Sequence, residues 1–403
     1  MPDQLPLCQR QLKNFDAETF LRADWQRQPR LIRRAIEGVN SLPTVNQLAG
    51  LAMEEEVESR LICHYPESDE WALRQGPFAE VELRSLPASH WTLLVQAVDH
   101  YLPEVASLLD CFRFIPRWQI DDIMVSVAAT GGGVGPHFDR YDVFLLQGSG
   151  RREWKIGQRC DHASALQPGR PLNLLAEFET EQTLILEPGD MLYLPPGVAH
   201  WGTALDDHCS TYSIGFRSPA VADLLADFSH TLQQSGEPVR FCEGLGERAD
   251  SGDCPALISV DTLVELRAVL SASLDDDQQL LRWFGRWASE HKYADMTLGE
   301  DLDLLDDTAV EKALAVIGND DTAMGYRDGG MRFFYAESGR GESLLFCNGR
   351  SFTVATASEA VAESLAVLCN QREIAVSALR CWLDIEDNRR VLVELLRSGA
   401  LVI

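Results

Sequence analysis

Two histidines and one aspartate have the residue types and the spacing of a metal site. His137 and Asp139 are two residues apart in a segment of strand character, so period-two alternation places the imidazole and the carboxylate on one face. His200 follows a Pro-Pro-Gly turn (195–197), after which a further strand is expected. Two histidines and a carboxylate from two strands form the facial triad of non-haem Fe(II) oxygenases, which leaves coordination positions open for substrates. Mn(II) and Ni(II) also accept this ligand set, so these residues alone leave the metal open.

The short pattern His-x-Asp also occurs by chance, and the simplest alternative is a turn histidine beside a solvated aspartate. Two flanking features favour the metal site: the glycine-rich approach to His137 (GGGVG, 131–135) and the Pro-Pro-Gly turn before His200. The glycine-rich segment lacks the Lys-Ser/Thr pair and the helix of a phosphate-binding loop. We therefore interpret it as a flexible turn that precedes a strand.

Arg152 supports an enclosed site independently. It begins the segment Arg-Glu-Trp-Lys-Ile (152–156), in which alternation places Arg152, Trp154 and Ile156 on one face. That face is apolar except for the guanidinium, which is therefore predicted to point into the protein. A buried arginine is costly unless it is paired with an anion, ideally a carboxylate bound through two hydrogen bonds. The partner is either a protein Asp or Glu, in a structural ion pair, or a dicarboxylate cosubstrate whose other end chelates the metal.

Further polar residues are expected near the same site. Ser126 lies in the apparent strand DDIMVSVAA (121–129), where its hydroxyl either contacts the same carboxylate or is a satisfied strand serine. Thr211 and Ser213 alternate in STYSIGF (210–216), and the sequence does not determine which way they face.

Composition and charge limit the class of protein. The chain has 403 residues, 45% of them hydrophobic, which suggests two or three packed domains. It carries 35 Lys and Arg against 62 Asp and Glu, a net charge of −27, which argues against nucleic-acid binding and favours a basic partner. Apolar runs are short and the N-terminus has no signal pattern, so we expect a cytoplasmic protein without a membrane span. The ten cysteines form no C-x-x-C pair and are expected to be reduced.

The character of the sequence changes along the chain. The first hundred residues are predicted to be mainly helical, with a capping box from Thr44 to Gln47. Residues 120–216 alternate in short runs separated by Gly-, Pro- and Asp-rich turns, which is typical of a β-sandwich or barrel. Helical spacing returns after Pro219. The last hundred residues mix strands and helices in an order that suits a small α+β module of the winged-helix type.

The segment GPHFDRYDVFLLQGSGRREW (135–154) is similar to the JmjC/cupin-type 2-oxoglutarate oxygenases. More narrowly, the chain resembles the bacterial ribosomal oxygenases, which hydroxylate an arginine of a large-subunit ribosomal protein. The likeness is close over residues 20–220 and looser in the C-terminal part. Its other segments are 25–36, 59–78, 90–105, 117–126 and 212–219.

This resemblance implies an α+β fold built on a double-stranded β-helix. The catalytic JmjC/cupin barrel with its helical flank would occupy residues 1–220. A helical dimerisation region would follow at 221–295 and a winged-helix-like domain at 296–403. The partners implied are a second copy of the chain and, as substrate, a basic ribosomal protein of the large subunit.

The resemblance also assigns roles to individual residues. It implies His137, Asp139 and His200 as ligands of Fe(II), in an enzyme that consumes 2-oxoglutarate and O₂. It implies Arg152 as the partner of the C5 carboxylate of 2-oxoglutarate and Ser126 as a further cosubstrate contact.

A substrate arginine adds a requirement of its own. Its guanidinium needs a carboxylate near the mouth of the barrel. Three residues are candidates, and the sequence does not rank them: Asp121, Asp122 and Asp142.

Three alternatives remain open from the sequence. A related oxygenase could act on histidine or methyl-lysine of another protein, and only the substrate pocket would distinguish it. A cupin isomerase or hydrolase with manganese or zinc is disfavoured by Arg152, because such chemistry requires no clamped dicarboxylate. A non-catalytic cupin adaptor is disfavoured by the intact triad, since an adaptor has no need of three converging ligands.

Overall fold

A computed structural model describes residues 12–234, 258, 260–292, 305–339 and 341–403. These residues fall into two compact units that divide between Ser218 and Pro219. The predicted boundary between 295 and 296 lies outside the described residues. The division of the chain into three domains stays a prediction, and each unit is described by itself below.

The first unit is built mainly from strands, with short helices around them. Its strands are β1 (Arg30–Ile32), β2 (Ser59–Tyr65), β3 (Glu70–Gln75), β4 (Trp91–Val95), β5 (Ile120–Ala128), β6 (Val143–Ser149), β7 (Arg152–Arg159), β8 (Thr180–Leu186), β9 (Met191–Leu194), β10 (Val198–Ala204) and β11 (Cys209–Phe216). Its α-helices are α1 (Ala17–Ala23), α2 (Val45–Leu51), α3 (Glu80–Arg84), α4 (Val98–Tyr101) and α5 (Pro103–Ala106).

The strands form two antiparallel sheets that enclose an apolar interior. The larger sheet has the order β1-β9-β6-β11-β5-β4-β2-β3, and the smaller has the order β10-β7-β8. Buried side chains from both sheets form one cluster, made of Val143, Leu145, Trp154, Ile156, Leu186, Leu192, Leu194 and Val198. The turn-rich segment predicted a β-sandwich or barrel, and the family resemblance implied a double-stranded β-helix. The arrangement is of this kind, and the predicted fold class is confirmed.

Side chains alternate between the two faces of the larger sheet, and its second face is buried as well. Val125, Tyr212 and Phe144 point away from the barrel interior into the main hydrophobic core of the unit. There the N-terminal segment covers the sheet: the ring of Phe20 in α1 lies 4.8 Å from that of Tyr193, edge to face. Because both faces of these strands are covered, the sheet is rigid where it supports the barrel interior.

The prediction that the first hundred residues are mainly helical is wrong. Four of the strands, β1 to β4, lie in that region, and β2, β3 and β4 extend the larger sheet. Short apolar runs do not distinguish a strand from a helix by periodicity alone, and the pairing of β4 with β5 decides the conformation here. The predicted capping box is confirmed: Thr44 caps α2, and the Gln47 side chain bonds back to the Thr44 amide.

The glycine-rich segment before His137 is tightly packed. A β-carbon on Gly132 would lie 2.1 Å from the carbonyl oxygen of Trp91, and one on Gly133 would lie 2.3 Å from that of Gly202 in β10. Such distances are impossible for real side chains, and the obstructing atoms are backbone atoms that cannot rotate away. Glycine is therefore required here by close approach of the backbone, and the interpretation of the segment as a flexible turn is replaced by a steric one.

We expect Gly133→Ala to lower the free energy of unfolding by about 1–3 kcal/mol, the usual cost of forcing extra atoms into a packed site. Urea unfolding of the purified protein measures the change. The matched control is Gly50→Ala, because Gly50 lies in α2 and a β-carbon there would meet no neighbouring atom within 4 Å. That substitution should be neutral or stabilise by up to about 1 kcal/mol through helix propensity. Equal effects at the two glycines would contradict the steric explanation.

The second unit contains both helices and small sheets. Its helices are α6 (Val221–Gln234), α7 (Val260–Ala272), α8 (Asp277–Ser289), α9 (Asp307–Asn319), α10 (Glu359–Asn370) and α11 (Glu386–Arg397). Its strands are β12 (Met324–Arg327), β13 (Phe333–Gly339), β14 (Glu342–Cys347), β15 (Arg350–Ala355), β16 (Glu373–Ala375) and β17 (Leu401–Val402). They form two sheets, β16-β12-β17 and β13-β14-β15. The helices and strands predicted for the last hundred residues are present.

The described residues also bear on two other expectations. None of the helices in the described part is long and apolar enough to cross a membrane. The seven cysteines within that part are all free thiols. Cys8, Cys242 and Cys254 lie outside the described residues.

Candidate metal and cosubstrate site

The triad is assembled by pairing between the segment before β6 and the start of β10. The amide of His137 donates to the His200 carbonyl at 3.0 Å, and the His200 amide donates to the His137 carbonyl at 2.8 Å. The Gly197 amide donates to the Asp139 carbonyl at 2.8 Å, which continues the pairing of the two segments. One ligand atom from each of His137, Asp139 and His200 lies within 4.8 Å of the others. The structure therefore brings together the three residues predicted to bind metal.

Local hydrogen bonds aim both imidazoles. Nδ1 of His137 lies 2.9 Å from the carbonyl oxygen of Gly135, and Nδ1 of His200 lies 2.9 Å from that of Val198. A carbonyl oxygen can only accept, so each Nδ1 carries a proton, and in a neutral ring Nε2 is then the atom that presents a lone pair. Backbone carbonyls commonly orient metal-binding histidines in this way. Nε2 of His200 then lies 3.6 Å from a carboxylate oxygen of Asp139.

The surroundings keep His200 neutral. Its side chain is buried, and burial lowers its pKa to about 4, with a smaller contribution in the same direction from His137. The carboxylate of Asp139 acts in the opposite direction, but the burial effect is larger. A neutral imidazole is the form that binds metal. The residues present thus fit a divalent cation: two imidazole nitrogen donors and one carboxylate, converging in the barrel.

Arg152 belongs to the same barrel and lies nearer the start of β7 than the residue that pairs with His200. In β7, Arg152 pairs with Ala204 and Ile156 pairs with His200. Arg152 and His200 are therefore separated by four residues along the strand direction, which is about 13 Å. An arginine side chain and a five-carbon dicarboxylate can together span that distance. The predicted alternation is present: Arg152, Trp154 and Ile156 are all buried.

The guanidinium of Arg152 has no protein counter-ion among the described residues. Its Nε and Nη2 are shielded from solvent and have no hydrogen-bond partner in that part of the chain. The neighbouring Arg151, in contrast, is exposed and pairs with Asp206 at 3.0 Å. The alternative of a structural ion pair for Arg152 is therefore not supported within the described part of the chain. A buried, unpaired guanidinium fits an anionic ligand such as the distal carboxylate of a dicarboxylate.

The larger sheet presents hydroxyl groups to the barrel interior. Ser126 in β5 and Thr211 in β11 are register partners, and both lie on the barrel side of the sheet because Val125 and Tyr212 face the opposite core. The Ser126 hydroxyl lies 3.4 Å from the Thr211 carbonyl oxygen, and the Thr211 hydroxyl donates to the Gln147 side chain at 3.2 Å. The sequence left the orientation of Thr211 open. The apolar residues Tyr212 and Ile214 on the alternate positions were the signal that could have settled it.

Two of the three candidate aspartates lie near the barrel mouth. Asp122 accepts a hydrogen bond from Gln96 at 2.9 Å, and Asp121 lies 3.3 Å from Nε of Arg217. Tyr141, which is 44% exposed, lies beside them: a β-carbon on Gly215 would lie 3.9 Å from both the Asp121 side chain and the Tyr141 ring. By strand parity Asp122 shares the barrel-facing side of β5 with Ser126.

The structure corrects the expectation that Asp142 lies near the barrel mouth. It is almost fully buried, and its carboxylate accepts hydrogen bonds from the hydroxyl of Tyr193 at 2.5 Å and from the side chain of Gln26 at 3.2 Å. Tyr193 belongs to the hydrophobic core on the far side of the larger sheet. The Asp142 side chain therefore points away from the barrel interior and serves packing. Asp142 directly precedes the barrel-facing Val143, and successive side chains of an extended strand point to opposite faces of the sheet.

Comparison with known proteins agrees with the fold and the site. A family model described as a JmjC domain matches residues 107–224, and one described as a ROXA-like winged helix matches residues 272–402. The crystal structure of Escherichia coli YcfD superposes with a TM-score of 0.80 at 29% identity, covering 97% of this chain and 98% of that one. A structure of YcfD, called a ribosomal oxygenase, in complex with cobalt and 2-oxoglutarate has a TM-score of 0.79. Fold and site define a JmjC-domain oxygenase with a C-terminal winged helix.

Sequence relatives identify the family to which the chain belongs within the JmjC-domain oxygenases. The chain is 37% identical to the ribosomal protein uL16 3-hydroxylase of Escherichia coli (strain K12) over 282 residues, which are 68% of this chain and 71% of that protein. A bifunctional lysine-specific demethylase and histidyl-hydroxylase of Aedes aegypti is 26% identical over 55% of this chain and 36% of its own length. The chain belongs to the ribosomal oxygenase family, as its resemblance indicated.

Proposed function

We propose that this protein is an Fe(II)- and 2-oxoglutarate-dependent hydroxylase that acts on an arginine side chain of a large-subunit ribosomal protein. The observation that carries the proposal is the combination, inside one barrel, of three converging ligand atoms with a buried guanidinium that lacks a partner among the described residues. The triad holds the metal, and Arg152 holds the far carboxylate of the cosubstrate. A solved relative that contains cobalt and 2-oxoglutarate supports a metal and this cosubstrate as the ligands of the fold.

The protein groups have distinct tasks. His137, Asp139 and His200 fix the metal with three donors on one side and leave the opposite side for small ligands. Arg152 and the hydroxyl of Ser126 orient the cosubstrate, and the apolar barrel wall excludes water from the reaction. When bound, Fe(II) and 2-oxoglutarate supply O₂ activation and the oxidation of an unactivated C–H bond, with release of succinate and CO₂.

The choice of an arginine in a basic protein has three supports. Acidic side chains stand near the barrel mouth, where Asp122 lies on the barrel-facing side of β5. The net charge of −27 would speed the approach of a basic ribosomal protein. The uL16 3-hydroxylase is a relative that acts on such a protein. Activity in the cytoplasm follows from such a substrate. Histidine is the second candidate target, because the Aedes aegypti relative is called a histidyl-hydroxylase.

The test is mass spectrometry of the large-subunit uL16 protein from the same organism after incubation with enzyme, Fe(II) and 2-oxoglutarate. We expect a mass gain of one oxygen on an arginine, absent when that arginine is replaced by lysine. Asp122→Asn should raise the KM for the substrate protein by roughly tenfold, since hydrogen bonds to charged groups contribute about 1.5–3 kcal/mol. Asp142→Asn, on the far side of the sheet, should leave that KM unchanged. Oxidation of a histidine instead would exclude the arginine assignment.

We also propose that the chain is a homodimer that associates through α7. No described residue of α7 is buried, and apolar side chains project from it into solvent. The most exposed are Val260, Leu263, Val264 and Leu270. Exposed apolar side chains at helical spacing on one helix favour an association site there. Light scattering should give twice the chain mass for the wild type and the single chain mass for Leu263→Asp/Leu270→Asp, whereas Val81→Asp, at an exposed valine of α3, should stay dimeric.

A further inference from the structure

Trp154 shares an unusual property with Arg152. Both lie on the barrel-facing side of β7, with exposures of 5% and 3%. The indole Nε1 is shielded from solvent and has no hydrogen-bond acceptor in the described ranges of the chain. A buried tryptophan N–H ordinarily has a partner, because leaving it unpaired costs free energy. The barrel wall therefore contains a second orphaned donor beside the guanidinium.

The indole lies between the proposed clamp and the triad. Its ring centroid is 5.8 Å from that of His200, and Cζ of Arg152 lies 5.8 Å from the Trp154 ring. The ring is also held in place: a β-carbon on Gly202, its partner across the sheet, would lie 2.7 Å from two atoms of the six-membered ring. The N–H is thus positioned by packing and not by a hydrogen bond.

Another polar group of the barrel wall is satisfied. The side-chain amide of Gln147 donates to the carbonyl oxygens of Ser149 and Gly150 at 2.9 and 3.1 Å. The unpaired groups on β7 are all donors, and one of them carries a full positive charge. A neutral water could accept hydrogen bonds but would leave the charge uncompensated, whereas a carboxylate satisfies both needs.

We infer that the Trp154 indole N–H donates a hydrogen bond to the carboxylate that Arg152 clamps, so that Trp154 is a further binding residue for 2-oxoglutarate. The inference rests on the proposed function. It explains why tryptophan stands at this buried position, where phenylalanine would place an aromatic ring without an unpaired donor. It also explains the need for glycine at position 202, against which the ring packs.

The experiment is equilibrium binding of 2-oxoglutarate to zinc-loaded protein, measured by calorimetry, so that no turnover occurs. Trp154→Phe keeps an aromatic ring and removes the donor, and we expect the Kd to rise roughly tenfold or more, as for loss of a hydrogen bond to a charged group. The matched control is Trp201→Phe, because Trp201 lies on the opposite face of β10 against Lys155. It should bind as the wild type does. An unchanged Kd in Trp154→Phe overturns the inference.

A second readout uses the unaltered protein. In zinc-loaded, ¹⁵N-labelled enzyme, the indole N–H resonance of Trp154, assigned through its backbone, should move downfield on addition of 2-oxoglutarate. It should move much less with 2-oxobutyrate, which lacks the distal carboxylate. Equal responses to both ligands, or none, would refute the hydrogen bond even if Trp154→Phe failed to fold.

The outcomes separate this inference from the proposed function. If wild-type protein does not bind 2-oxoglutarate, the proposed function fails. If the wild type binds it and Arg152→Met weakens binding while Trp154→Phe does not, only the role of Trp154 fails.

Discussion

His137→Ala should abolish metal-dependent turnover, with a rate below roughly one-thousandth of the wild-type rate. Loss of a group that merely orients a metal ligand costs about 10–100-fold, and loss of the ligand itself should cost more. The reason lies in the geometry: the His137 side chain supplies one of three converging ligand atoms, and no other described residue joins the cluster to replace it. The measurements are succinate formation and the metal content of the protein after dialysis.

The control for this prediction is His162→Ala. His162 is exposed in the connection between β7 and β8, outside the cluster. It should retain metal and full turnover. If His137→Ala bound metal as tightly as the wild type, the assignment of the triad would be wrong, and a non-catalytic adaptor would become the better hypothesis.

Arg152→Met should raise the KM for 2-oxoglutarate by roughly a hundredfold while kcat at saturating cosubstrate stays near the wild-type value. Methionine preserves the apolar stem of the side chain but removes the donors. Two hydrogen bonds to a carboxylate, at the lower value of about 1.5 kcal/mol each, account for that factor. The prediction follows from the burial of the guanidinium and from its unpaired Nε and Nη2 among the described residues.

Arg151→Met is the matched control for Arg152. The two arginines are adjacent, but Arg151 is exposed and its charge is balanced by Asp206 at the surface. Its replacement should change the KM for 2-oxoglutarate by less than about twofold, since exposed ion pairs contribute little. An equal rise in KM for both variants would indicate a general disturbance of β7 and not the loss of a clamp.

Much of the barrel could be predicted because its determinants are local. Turn residues separate the strands, and alternation correctly placed Arg152, Trp154 and Ile156 on one buried face. The spacing of His137 and Asp139, with the Pro-Pro-Gly turn before His200, sufficed to predict a shared site. Each of these inferences depends on the period of two in a strand and on the chemistry of the side chains.

The remaining features depend on contacts between distant parts of the chain. Asp142 is one residue from a barrel-facing valine, and only the strand register shows that its carboxylate meets Tyr193 on the other side. The glycines before His137 are required by the carbonyl groups of Trp91 and Gly202, which are far away in sequence. The strands β2 to β4 owe their conformation to the sheet they join. The orphaned N–H of Trp154 likewise becomes visible only when its neighbours in the fold are known.

The most direct test of the central claim is the fate of oxygen under ¹⁸O₂. Enzyme, Fe(II), 2-oxoglutarate and the large-subunit substrate protein are incubated under the labelled gas, and both products are analysed by mass spectrometry. We expect one ¹⁸O atom in the modified arginine and one in succinate, in equal amounts. Succinate formed with no label in the protein would contradict a hydroxylase acting on this substrate, and no succinate from metal-loaded enzyme would contradict an oxygenase altogether.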